Sequence, residues 1–268
     1  MTTAVKELIN SSQGVPVLPP LSEGARELLA LDASKQMDSR VLSLIAQKDP
    51  VQVTKLLILA NSAAFGRHTL AVSTVPEAIR VIGAKNAYST MTAIAMANSF
   101  ASLKVSGAIK SFILSQALSA SLTARKVASR LDLDEQSVST LVMGSLFLPL
   151  GLYLALMSNM PLANKVANAL TAVIASSSRD LRGHEDLEGY NQLGQELAKS
   201  WDAPHAVIDA LRDSKSVNGL LLQAIEAVMT ASATKNSQLE CLVEIFANNL
   251  DLSKKLPSNE VYLAVIIG

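Results

Sequence analysis

A single cysteine in 268 residues excludes a disulfide within the chain, and with it the stapled scaffolds of small secreted proteins. That residue, Cys241, stands in the apolar stretch LECLVEIF and reads as a buried small hydrophobe. The expected setting is therefore cytoplasmic. Aromatic side chains are also scarce, at 4% against 49% hydrophobic residues overall. A core made this way rests on Ala, Leu, Val and Ile, which suits helices whose axes approach closely. Neither sign of charge is in excess: 23 basic and 23 acidic side chains cancel, so the electrostatic footprint of a nucleic-acid binder is missing. The first residues, MTTAVKELINSSQG, hold one Lys and no long apolar run, so no signal peptide is expected there.

One long stretch lacks charge altogether. Residues Gln136 to Asn164 could cross a bilayer by length. Gly144, Ser145, Pro149 and Gly151 interrupt it, and its N-terminal flank carries Asp132, Asp134 and Glu135 rather than Lys or Arg. A helix apolar on all sides belongs either in lipid or in a protein core, and these features favour the core. The three acidic residues read as a capped helix start. No membrane partner is expected.

Helical signals fill the chain. Leu21, Ala25, Leu28 and Leu29 recur at helical spacing. Asp38 can cap a helix through Ile45, and Asp49-Pro50 opens another that runs to about Ala60. Ser73 to Glu77 offers a further start, with Gly83 placed to stop that helix in a left-handed conformation. Longer patterns cover 84–103, 107–131 and 134–157, and Pro161 opens a helix to about Ser176. Arg179 to Tyr190 reads as a loop. Helices are expected over 190–201, 203–213, 217–233 and 237–249, while the tail VYLAVIIG is ambiguous. The expected fold class is all-α, a multi-helix bundle in one globular unit or two helical subdomains.

Several elements occur together in a set order. They are Leu18-Pro19-Pro20-Leu21, Asp49-Pro50, Leu59-Ala60-Asn61-Ser62, Phe65-Gly66 and Ala78-Ile79, followed downstream by Gly194, Trp201 and Pro204. This set resembles the HDOD family, the HD-related output domains. The resemblance implies a helical HDOD-like domain over 15–215, within which the helical pattern allows two subdomains meeting near residue 105. Residues 216–268 would form a helical extension packed on it. It implies descent from HD metal phosphohydrolases and a role in bacterial signal transduction.

A hydrolase of that kind needs imidazoles and carboxylates converging on metal, which generates hydroxide and clamps phosphate. The resemblance sets Leu114 at the first histidine position. Phe147 and Leu148 stand at the His-Asp pair, and Asn191 at a later histidine. Residues Ser214 and Lys215 stand where some members carry paired histidines. The chain has three histidines, His68, His184 and His205, and no His-Asp dipeptide. None has the spacing of a ligand set, and no nucleophile elbow, phosphate loop or dinucleotide glycine pattern occurs. No metal, cofactor or catalytic residue is expected.

The reading that follows is a non-catalytic signalling domain that binds a protein partner or a small ligand. Asn61, Ser62, Phe65 and Gly66 form a candidate interaction loop, set against the plainer reading of a helix end. The alternative is a metal-dependent phosphohydrolase acting on nucleotides or phosphoesters. A nucleotide receptor without hydrolysis would want cations near a helix N-terminus, where Lys104, Lys110 and Arg125 are candidates by count alone.

Overall fold

The computed structural model describes residues 16, 18–31, 38–62, 71–176, 181, 184–213, 216, 218, 219, 221–223 and 225. Among these there is no strand, and the fold is all-α as expected. The chain forms two compact units. One spans Pro19–Ser102, and the other holds the described residues from Leu103 onward with Pro16 and Leu18.

The Pro19–Ser102 unit contains α1 (Glu23–Ala30), α2 (Ser39–Gln47), α3 (Pro50–Ala60), α4 (Val75–Ile82) and α5 (Ala84–Ser99). Each of the first four begins on a side-chain oxygen that accepts an otherwise orphaned backbone N–H. Ser22 takes Ala25 N–H, Asp38 takes Arg40 N–H, Asp49 takes Val51 N–H and Thr74 takes Glu77 N–H. Leu28, Leu42, Leu56, Ile79, Met91 and Ile94 are fully buried and form the core of the unit. The pattern over 84–103 overran the helix, which ends at Ser99.

Gly83 does stop α4 at positive φ, +84°, yet its ψ of 138° lies outside the left-handed helical well. The chain turns at this residue straight into α5. A side chain is disfavoured there by backbone strain, although open space surrounds the position. Gly83→Ala is expected to destabilise this unit by about 1–3 kcal/mol, read as a lower urea midpoint with an unchanged slope.

The larger unit contains α6 (Gly107–Arg130), α7 (Glu135–Leu150), α8 (Leu152–Leu156) and α9 (Met160–Ala175). A 3-10 turn (Glu185–Leu187), α10 (Tyr190–Ser200) and α11 (His205–Arg212) follow. The acidic trio before α7 divides between two helices. Asp132, at φ +50°, ends α6 in a left-handed conformation, and Leu133 N–H reaches back to Ala128 O at 3.1 Å. Asp134 caps α7, accepting from the N–H groups of Gln136 and Ser137, each at 3.0 Å. Those bonds, chiefly Ser137's, hold the Asp134 carboxyl below its ordinary range.

The pattern over 134–157 resolves into α7 and α8, divided at Gly151 two residues after Pro149. Residues Glu135–Leu156 are apolar and long enough to cross a membrane. Every residue from Thr140 to Leu156 is nonetheless buried, the protein-core home expected for an all-round apolar helix. α6 packs along α7, and its buried face includes the alanines Ala117, Ala120, Ala124 and Ala128. The small side chains let the two axes approach. Residues 218, 219, 221–223 and 225 are helical, and Leu221, Leu222 and Ile225 are buried. The helix expected over 237–249, Cys241 and the tail lie outside the described residues.

Candidate functional site

The four positions that the resemblance sets at metal ligands lie on three helices joined through α7. Leu114 is on α6, Phe147 and Leu148 are on α7, and Asn191 is in the first turn of α10. α6 and α10 each pack on α7. Phe147 is 0% exposed, Leu148 6% and Leu114 8%, while Asn191 is half-buried.

Two glycines bring α10 onto α7 without side chains between them. A methyl group on Gly194 would lie 2.7 Å from Phe147 O and 2.9 Å from Leu148 Cα. A methyl group on Gly151 would lie 2.8 Å from Gly194 Cα. Backbone therefore meets backbone beside Phe147 and Leu148. The sequence marked both glycines for other reasons, Gly151 as a break in the apolar run and Gly194 as part of the family pattern. Small residues inside an apolar run are the usual signal of such an approach, but the sequence does not say which helix arrives. About two turns before Gly151, Leu222 Cδ1 would sit 2.8 Å from a methyl group on Gly144. The segment after α11 thus seats on α7 as well.

No group of three or more His, Cys, Asp or Glu residues that could hold a metal occurs among the described residues. His205 is the exposed first residue of α11. His184 is half-buried at the start of the 3-10 turn, and its Nδ1 has no hydrogen-bond partner among the described residues. His68 lies outside the described residues, as do Ser214 and Lys215.

The three cations do not converge on one phosphate. Lys104 is exposed before α6. Lys110 and Arg125 are fifteen positions apart on α6, roughly 22 Å at 1.5 Å per residue. Arg125 is half-buried, and its burial lowers the guanidinium's basicity while Glu135 opposes the change. The backbone oxygen of Lys110 accepts the Tyr153 hydroxyl at 3.2 Å, and burial pushes that phenol above its ordinary value.

At the candidate interaction loop, Asn61 and Ser62 are described and Phe65 and Gly66 are not. Asn61 Nδ2 donates to Leu57 O at 2.8 Å and to Val72 O at 2.9 Å, and Oδ1 accepts from Val72 N–H at 2.8 Å. The amide imitates a neighbouring strand and fastens the end of α3 to Val72. Ser62 donates to Leu59 O at 2.7 Å. Both polar groups are engaged inside their own unit. Asn61→Ala leaves the half-buried Val72 pair unmet and is expected to cost about 1–3 kcal/mol. Thermal unfolding checks it, and Asn61→Asp, which keeps the acceptor but sets a carboxylate oxygen against the Leu57 and Val72 carbonyls, is expected to cost at least as much.

The family model of the HDOD domain matches residues 18–217. The chain belongs to the HDOD family. A crystal structure of an HDOD domain protein with unknown function from Geobacter sulfurreducens is similar at a TM-score of 0.52 and 16% identity. That match covers 94% of this chain and 81% of that one. The MmoQ response regulator of Methylococcus capsulatus is similar over 91% of this chain and 99% of its own, at 17% identity and a TM-score of 0.34. No curated protein matches the chain. Leu221, Leu222 and Ile225 of this HDOD protein lie beyond the family match yet are buried with it.

Proposed function

We propose that this HDOD protein is a non-catalytic domain of bacterial signal transduction, cytoplasmic, that acts by binding a protein partner. One observation carries the reading: Leu114, Phe147 and Leu148, at the metal-ligand positions, are apolar and buried. A divalent ion needs several protein ligands and an open position for water. Of the four positions only Asn191 has a coordinating oxygen, a neutral one. A charge among Phe and Leu side chains would be costly to dehydrate.

The opposing reading is the metal-dependent phosphohydrolase. Elemental analysis of protein purified without chelator, with phosphoester hydrolysis measured under added manganese, separates the two. The expected result is no stoichiometric metal and no turnover above buffer. Bound metal together with turnover abolished by Asn191→Ala would overturn the proposal.

A further inference from the structure

Among the described residues five large hydrophobic side chains stand exposed, and four of them, Val41, Leu44, Val51 and Ile58, lie on α2 and α3. Single exposed hydrophobics are ordinary on a protein surface, but this concentration on two consecutive helices is not scattering. The two helices are joined by only Lys48 and Asp49 and pack on each other. Val41 and Leu44 share one face of α2, and Val51 and Ile58 share one face of α3, opposite to core-facing Leu42 and Leu56. Leu44 is 64% exposed and Ile58 66%. Between Val51 and Ile58 lies Thr54, whose hydroxyl donates to Pro50 O at 2.9 Å. Its polar atom is thereby satisfied within the helix, which extends the apolar strip.

The charges around this face have one uncommitted sign. Residues 39–60 carry Arg40, Lys48 and Lys55 against Asp49 alone. Asp49 is engaged with Val51 N–H and Asn98 Nδ2, and Asp38 with Arg40 N–H. Lys48 is paired with Glu27 at 2.7 Å. Arg40 and Lys55 have no ion-pair partner among the described residues.

The geometry points to a docking face on α2 and α3 for an amphipathic helix of another protein, with an apolar stripe bordered by Asp or Glu. The inference deepens the protein-binding reading and rests on it. An apolar strip at helical spacing fits a partner helix, and the free cations fit an acidic border. A second copy meeting this face across a two-fold axis would bring the same cationic surface against itself. A bilayer surface is disfavoured because residues 39–60 contain no Trp, Tyr or Phe to anchor at the interface.

The test uses the full chain and two designed amphipathic helical peptides with the same leucine face, one bordered by Glu and the other by Lys. Fluorescence anisotropy is expected to show binding of the Glu peptide, weakening as salt rises, and far weaker binding of the Lys peptide. Leu44→Ser with Ile58→Ser is expected to weaken the Glu peptide at least about ten-fold, since buried apolar anchors dominate such contacts. Both sites face solvent, so circular dichroism and the melting temperature should stay unchanged. Arg40→Glu with Lys55→Glu should reverse the peptide preference. Equal binding of the two peptides, or binding that survives the Leu44/Ile58 change, would overturn the inference. So would a wild-type dimer, or binding to phosphatidylglycerol vesicles, that the same change abolishes. If cell partners captured by wild type are retained by the Leu44/Ile58 variant, this surface is wrong and the protein-binding reading stands. Metal-dependent hydrolysis would remove the reading itself.

Discussion

Gly151→Ala and Gly194→Ala are each expected to destabilise the larger unit by about 3 kcal/mol, at the upper end of what an added methyl group costs in a filled core. In both cases the new carbon meets backbone: Phe147 O and Leu148 Cα for Gly194, and Gly194 itself for Gly151. Backbone cannot rotate away, so α10 must lift from α7. Gly144→Ala supplies the comparison. Its methyl group meets the end of the Leu222 side chain, which can change rotamer, and the cost is expected to be about 1 kcal/mol. Urea unfolding of the three variants checks the order. Equal losses at all three would show that the α7–α10 approach is no tighter than ordinary side-chain packing.

Phe147→Ala is expected to cost about 3–5 kcal/mol, because a fully buried ring leaves a cavity that the surrounding helices fill only in part. Phe147 is part of the core of this unit. Asn191→Ala, at a half-buried position of α10, is expected to stay within about 0.5 kcal/mol of wild type. Phe147→His with Leu148→Asp, the pair the proposed reading finds missing, would bury an unpaired carboxylate, and its loss is expected to exceed that of Phe147→Ala. Thermal unfolding with and without added manganese reads all three. A double variant as stable as wild type, further stabilised by manganese, would show that the ligand cradle survives beneath the apolar side chains.

By itself the sequence determined the helical class, most helix boundaries and the family. Those features are local: capping residues at Ser22, Asp38, Asp49 and Asp134, prolines at first turns, and apolar residues at helical spacing each act within a few residues. It also showed that Leu114, Phe147 and Leu148 carry no imidazole or carboxylate, because side-chain identity is visible in one letter. The tertiary structure decided what distant residues do to each other. Asp132 and Asp134 look alike in the sequence, but one ends α6 and the other begins α7, since backbone φ separates them. Asn61 can be read in the sequence as a loop residue or as a helix end, but only the structure shows its amide bonded to Val72, eleven residues away. Gly151 and Gly194 become a single feature only when α10 lies on α7. The exposure of Leu44 and Ile58 beside buried Leu42 and Leu56 was likewise invisible in the sequence. An apolar side chain carries no sign of whether its face of the helix is covered, and only the placement of neighbouring helices settles that.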